Sequence, residues 1–336
     1  MRFAVALLLA GASFAQSWTP QASNTTASLR GLSAVDDQVV WAGGTGGTWL
    51  RTTDGGVHWT AARVPGADTL DFRGIRAFDA RAAFLMSAGP GDKSRIYRTL
   101  DGGEHWSLLF THPDPQGFLD SIAFWDRDHG IVVGDALDGA ADLRTTADGG
   151  AHWERQRTPP ALPNEGSFAA SNTCLFLAGT SEAWFVTGGT GAARVFHTRD
   201  RGRTWSVAAT PVRNDSPSAG IFSIAFSDPA HGIVVGGDYS KDKEDRGNVA
   251  ATTNGGAFWT TPPAGPHGFR SAIAWVPALK LWIATGTSGS DWSADGGRTW
   301  KLFDLGSYNA LSFAPGGAGW AAGAHGRIAR FAAPHP

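Results

Sequence analysis

Short apolar runs alternate with turn sequences along the whole chain, and their order repeats. Ser121-Ile122-Ala123-Phe124 is followed by a turn over 126–130, then by Ile131-Val132-Val133-Gly134 and by Leu143-Arg144-Thr145. Further on, Ser223-Ile224-Ala225-Phe226, a turn through His231-Gly232 and Ile233-Val234-Val235-Gly236 keep the same order. Runs this short, rich in β-branched and aromatic residues and bounded by glycine and aspartate, predict strands rather than helices.

Six units then end on one pattern, Ser/Thr-x-Asp-x-Gly-x-x-Trp. Its aspartates are Asp54, Asp101, Asp148, Asp200 and Asp295, with Asn254 in the fifth copy, and its tryptophans are Trp59, Trp106, Trp153, Trp205, Trp259 and Trp300. A carboxylate can accept hydrogen bonds from turn amides, and glycine reaches positive φ without steric cost. The amide oxygen of Asn254 can make the same contact. The threonine or serine ends one strand and the tryptophan opens the next, so each unit holds four strands. Units recurring every 40–50 residues or so predict a radial array, a β-propeller.

The residues after position 15 divide into seven units of about 46. The seventh, Leu311-Ser312-Phe313, Trp320-Ala321-Ala322-Gly323 and Ile328-Ala329-Arg330-Phe331, has no Asp turn and no fourth strand. The segment Ser17-Trp18-Thr19-Pro20 is similar to the strand starts after the other turns, such as His58-Trp59-Thr60. The expected fold is therefore all-β: a single seven-bladed β-propeller of four-stranded blades over 16–336. Trp18 is expected to open the outer strand of the last blade and so close the ring.

The six boxes resemble the Asp-box, or BNR, repeat over essentially the whole chain after position 15. Sialidases, xyloglucan-active glycosidases, sortilin-type receptors and the photosystem II assembly factors (the Ycf48-like family) carry that repeat. Length, unit number and leader make the chain most similar to the last of these. The resemblance implies that the box aspartates are scaffold, on the rim opposite the binding face.

Composition narrows the function. The chain has 45 Gly and 15 Trp but 2 Met, which suits short strands and tight turns. With 28 Lys+Arg against 30 Asp+Glu, nothing suggests a nucleic-acid partner. The single cysteine, Cys174, excludes an internal disulfide and sits in an apolar run, where a buried role is expected. Met1-Arg2, the apolar run to Ala12 and Ser13-Phe14-Ala15 predict an export signal over 1–15, too short to span a bilayer. A soluble monomer in the periplasm or the medium, without a membrane anchor, is the expectation.

Ligands of propellers bind where the inner strands begin. The candidates there are Arg30, Arg73, Asp120, Asn172, Phe222, Arg270 with Ser271, and Asn309. Arginines converging on one opening favour a carboxylate, a phosphate or an acidic protein tail. The alternative is that they pair with Asp71, Asp120 or backbone carbonyls. The leading expectation is a non-enzymatic scaffold that binds a protein partner or an acidic polymer or glycan. The second is a glycoside hydrolase, sialidase-like, with Glu165, Tyr308 and Asp71 as its catalytic groups and Arg30, Arg213 and Arg270 holding the sugar. Against it, the Arg-Ile-Pro sequence of sialidases is absent, and Arg63-Val64-Pro65 comes after the first box instead of preceding it. The acidic loop 238–248 and the loop with Asp135, Asp138 and Asp142 each have oxygen ligands of the kind calcium takes; the first has interleaved lysines and no EF-hand spacing and reads as a solvated loop. His58, His105 and His152 fall in different blades, too far apart to share a metal. No metal and no cofactor is expected.

Overall fold

The computed structural model describes residues 16–333; the predicted export signal lies outside the described residues. Seven antiparallel sheets succeed one another along the chain, each ordered from its first strand outwards. The first strands are Leu29–Ala34, Phe72–Ala77, Leu119–Phe124, Leu175–Ala178, Ala219–Phe226, Ala272–Val276 and Ala310–Phe313, which open blades 1 to 7. Each touches the first strands of the blades before and after it, and the seventh touches the first, so together they form a closed inner ring. The fold is the expected all-β, seven-bladed propeller.

The ring closes as predicted. Ser17–Gln21 pairs antiparallel with Ile328–Ala332, with Trp18 opposite Phe331, and supplies the outer strand of blade 7. Trp18 is buried against Tyr308, Phe331, Phe303 and Phe313. Blade 5 departs from the pattern. Its three strands end at Val249–Thr252, and the fourth shrinks to a single bridge between Ala251 and Thr260. Pro262 and Pro263 come next and offer no N–H to a ladder.

The Asp turns join the third and fourth strands, and they share one hydrogen-bond plan. Thr52 Oγ1 donates to Asp54 Oδ1 at 2.8 Å and accepts from the Gly56 amide at 2.9 Å, while the His58 amide donates to Asp54 Oδ1 at 2.9 Å. The second carboxylate oxygen takes the His58 ring nitrogen at 2.7 Å. His105 and His152 do the same for Asp101 and Asp148, and the Thr204 and Thr299 hydroxyls do it for Asp200 and Asp295. In the fifth copy Asn254 has one oxygen only, and Phe258, which donates nothing from its side chain, stands where the others have histidine or threonine. These bonds stabilise the ionised carboxylate. The His58 amide and ring, with the Thr52 hydroxyl, lower the Asp54 pKa to about 2.

The core lies between blades and is aromatic. Trp41, Trp184 and Trp320 are among its largest fully buried side chains, and Cys174 is buried with them. Among the described residues no helix is long and apolar enough to cross a membrane.

Candidate functional site

Antiparallel strands place the Asp turns on one face and the starts of the first strands on the other. On that second face a cavity of about 710 Å³ opens over the ring axis. Four of its lining residues, Arg30, Arg73, Asp120 and Phe222, occupy the same place in four blades. In each, the pairing of first and second strands slips across that residue, between Leu29 and Gly31, Phe72 and Gly74, Leu119 and Ser121, and Ile221 and Ser223. A bulge re-aims the side chain of its extra residue. Here it turns four side chains to the axis. The residue after the bulge must be small. A Cβ on Gly74 would lie 2.9 Å from the Ile122 and Met86 side chains, so the first strands of blades 2 and 3 pack directly.

The floor of the cavity comes from the connector between blades 3 and 4. Asn172 Nδ2 donates to the Ile75 and Ile122 carbonyls, both at 3.1 Å. Ser171 Oγ donates to the Ser271 carbonyl at 2.7 Å, and Thr173 Oγ1 meets Ser223 Oγ at 2.7 Å. Residues 171–173 therefore lie across the axis, bonded to the first strands of blades 2, 3 and 5 and to the residue before that of blade 6. Asn172 serves this bracing and does not line the cavity. Phe168 of the same connector stacks on Phe222, 3.9 Å between centroids, with Tyr239 and Phe269 set edgewise around Phe222.

Arg30 and Arg73 share this cavity with Asp120 and Asn309. Arg73 Nε donates to Asp71 Oδ2 at 2.8 Å and its Nη1 to the Ala169 carbonyl at 3.3 Å. Arg30 makes no ion pair among the described residues, and its Nε is buried without a partner. Burial, and then repulsion by Arg73, lower its pKa against the attraction of Asp71. Asn309 Nδ2 donates to the Leu29 carbonyl at 3.0 Å, which ties blade 7 to blade 1.

Asp120 is 1 % exposed; no side chain bonds its carboxylate oxygens, and the Ala169 amide lies towards them outside hydrogen-bond geometry. Burial first, and then the charge of Asp135, push its pKa well above the usual carboxylate range, against the pull of Arg73 and the Ala169 amide. Asp135 also lines the cavity, and burial raises its pKa to about 6 against one hydrogen bond from the Ser167 amide.

Four expected site residues are engaged with other groups. Arg270 is fully buried: Nε donates to Asp291 Oδ2 at 2.8 Å, Nη1 to the Phe269 carbonyl and Ser288 Oγ, and Nη2 to the His267 carbonyl and Asp291. The expectation that it faces the opening is corrected, because a buried carboxylate draws the guanidinium into blade 6. Tyr308 is buried against Trp18 and does not line the cavity. Glu165 reaches the cavity wall, but Arg194, Thr187 Oγ1 and the Leu162 amide take both its oxygens. Those bonds hold its pKa down against burial. The sialidase-like pair of Glu165 and Tyr308 is thus not assembled, and Arg213 is engaged with Asp215 and Glu244.

The other acidic groups are also accounted for by contacts. Asp142 is buried with His112 Nε2 at 2.7 Å and Arg144 Nε at 3.1 Å, and Asp138 meets Arg155 at 3.0 Å. In the 238–248 loop, Asp238 caps a short turn through the Ser240 amide. Sequence reasoning missed Phe168, Tyr239 and Phe269, and it placed Asp135 in an acidic loop instead of the central opening. Asp135 follows Val133-Gly134 at a bulge in the later part of the second strand, Gly130–Leu137, on the same face as Arg30, so the place was available as a signal.

Comparison with protein-family models and with curated proteins returns no match. Among solved structures the chain is similar to one described as YCF48 bound to D1 peptide, at 17% identity and TM-score 0.68 over 95% of this chain and 97% of that one. YCF48 from Cyanidioschyzon merolae matches at 18% identity and TM-score 0.64, over 95% of this chain and 99% of that one. The WD40 propeller domain of Doa1 matches at 13% identity and TM-score 0.63, over 95% and 97%. These likenesses establish the seven-bladed propeller fold.

Proposed function

We propose that the chain is a non-enzymatic, exported Asp-box propeller that acts as a monomeric scaffold. It holds an acidic protein segment, or an acidic polymer, against Arg30 and Arg73 in the central cavity. One observation carries this reading: two guanidinium groups face one cavity and repel each other, with only Asp71 close to both. A bound carboxylate relieves that repulsion and takes up the free donors of Arg30. The YCF48 structure with a D1 peptide supports a peptide as ligand, and the Asp-box pattern supports kinship with such assembly factors. The Met1-Arg2 leader with its apolar run supports export, and amino-terminal sequencing of the secreted chain should read from Gln16.

The test is a library of labelled peptides, each made as a carboxyl-terminal acid and as its amide, read by fluorescence anisotropy. Peptides that bind as acids should lose about tenfold or more as amides, and as much on Arg30→Ala with Arg73→Ala. Equal binding of acid and amide by both proteins would remove the arginine site. A hydrolase remains the second reading on one observation, the pair of cavity carboxyls Asp120 and Asp135 with raised pKa values. Turnover of fluorogenic sialosides or other glycosides, lost in Asp120→Asn, would decide for it.

A further inference from the structure

The acidic groups around the cavity are not equally partnered. Glu165 and Arg194 neutralise each other at the wall. Arg30 and Arg73 then face Asp71, Asp120 and Asp135, two cations against three carboxyls. The carboxyl in excess is identifiable, because Asp71 is bonded to Arg73 and Asp135 accepts the Ser167 amide at 3.0 Å, whereas neither oxygen of Asp120 has a partner in hydrogen-bond geometry. A buried carboxyl with two orphaned oxygens is costly, and such groups in folded proteins are otherwise almost always satisfied.

We infer that Asp120 and Asp135 form a cation subsite in the central cavity, which receives a primary ammonium group, a lysine side chain or an amino terminus of the bound segment. This rests on the peptide-binding proposal and adds a second requirement to it. The donor count fits an ammonium. It has three N–H groups, and the free acceptors are both oxygens of Asp120 and the second oxygen of Asp135. It is a compact point charge, whereas a planar guanidinium needs a paired, fork-shaped acceptor. The stacked rings of Phe168 and Phe222 line the same cavity and offer an apolar wall to the aliphatic stem such a group carries. The groups facing Asp120 are Asp135 on blade 3, Arg73 on blade 2 and the buried Cys174 thiol on the connector. Burial and the charge of Asp135 favour the protonated form of Asp120; an arriving ammonium favours the carboxylate, and a proton displaced from it passes to solvent.

The test uses the full chain with 13Cγ-labelled aspartate at neutral pH, titrated with n-butylammonium, with n-butyrate and with 4-aminobutyrate. Butylammonium should shift the Asp120 and Asp135 resonances saturably at concentrations up to about 100 mM and lower the Asp120 titration midpoint. Asp135→Asn should weaken this by about tenfold, and Asp120→Asn should abolish it, while butyrate still binds to both. No saturable shift with butylammonium, or the same affinity in both variants, overturns the inference. Butyrate binding that depends on Arg30 and Arg73 while butylammonium is silent removes the cation subsite and leaves the arginine site standing. The reverse pattern leaves the cation subsite and removes the arginine site. Should Asp120→Asn fail to fold, the titration midpoint of Asp120 in the unaltered chain decides.

Discussion

Two arginines at equivalent ends of inner strands have opposite fates, and backbone and neighbours decide which. Arg30 sits on a bulge that turns it to the axis, where no carboxylate meets it. Arg270 has no bulge; its amide donates to the Gly236 carbonyl and its guanidinium is drawn to Asp291. The sequence shows an arginine before an inner strand in both places, since a bulge and an inward-facing aspartate two strands away leave no local signature. The consequence is testable. Arg270→Ala should cost about 3–5 kcal/mol in urea unfolding, because Asp291 is left buried with His267 alone, while peptide affinity of the folded protein stays unchanged. A loss below about 1 kcal/mol would mean that the ion pair is not holding blade 6 together.

At the scale of the element, the patterns that repeat were legible and the interruptions were not. Six Asp turns with shared bonding arise from six copies of one sequence, and the closure strand is announced by the likeness of Trp18-Thr19 to Trp59-Thr60. The truncated fourth strand of blade 5 and the connector that floors the cavity each occur once, so no repeat announces them. Closure depends on a short strand anchored by one large side chain. Trp18 packs its ring among four aromatic residues, and its Nε1 donates to Ser290 Oγ at 2.9 Å in blade 6. Trp18→Ala should therefore destabilise the whole ring by about 3–5 kcal/mol, with hydrogen exchange rising first in Ile328–Ala332. Unfolding at the original urea midpoint would show that blade 7 closes without it.

For the molecule as a whole, two sets of carboxyls work against each other as pH changes. The Asp turns hold their carboxylates ionised: Asp54, Asp200 and Asp295 titrate near 2, and Asp101 and Asp148 lie below the usual carboxylate range too. Their pKa values are depressed on folding, so their stabilisation is complete above about pH 4 and is lost as pH falls towards 2. The cavity carboxyls act in the opposite sense. Folding raises Asp135 to about 6 and Asp120 well above its usual value, so the folded chain binds these protons more tightly than the unfolded one. Their contribution is complete below about pH 4 and is lost as pH rises through 6 and beyond. Stability should therefore peak in mildly acidic solution and decline towards pH 8. Asp135→Asn removes one of the two groups but keeps an oxygen for the Ser167 amide, and should recover about 2 kcal/mol at pH 8 with little change at pH 4. Urea unfolding at a series of pH values checks this. Parallel curves for the variant and the parent chain would show that folding leaves the proton affinity of Asp135 unchanged.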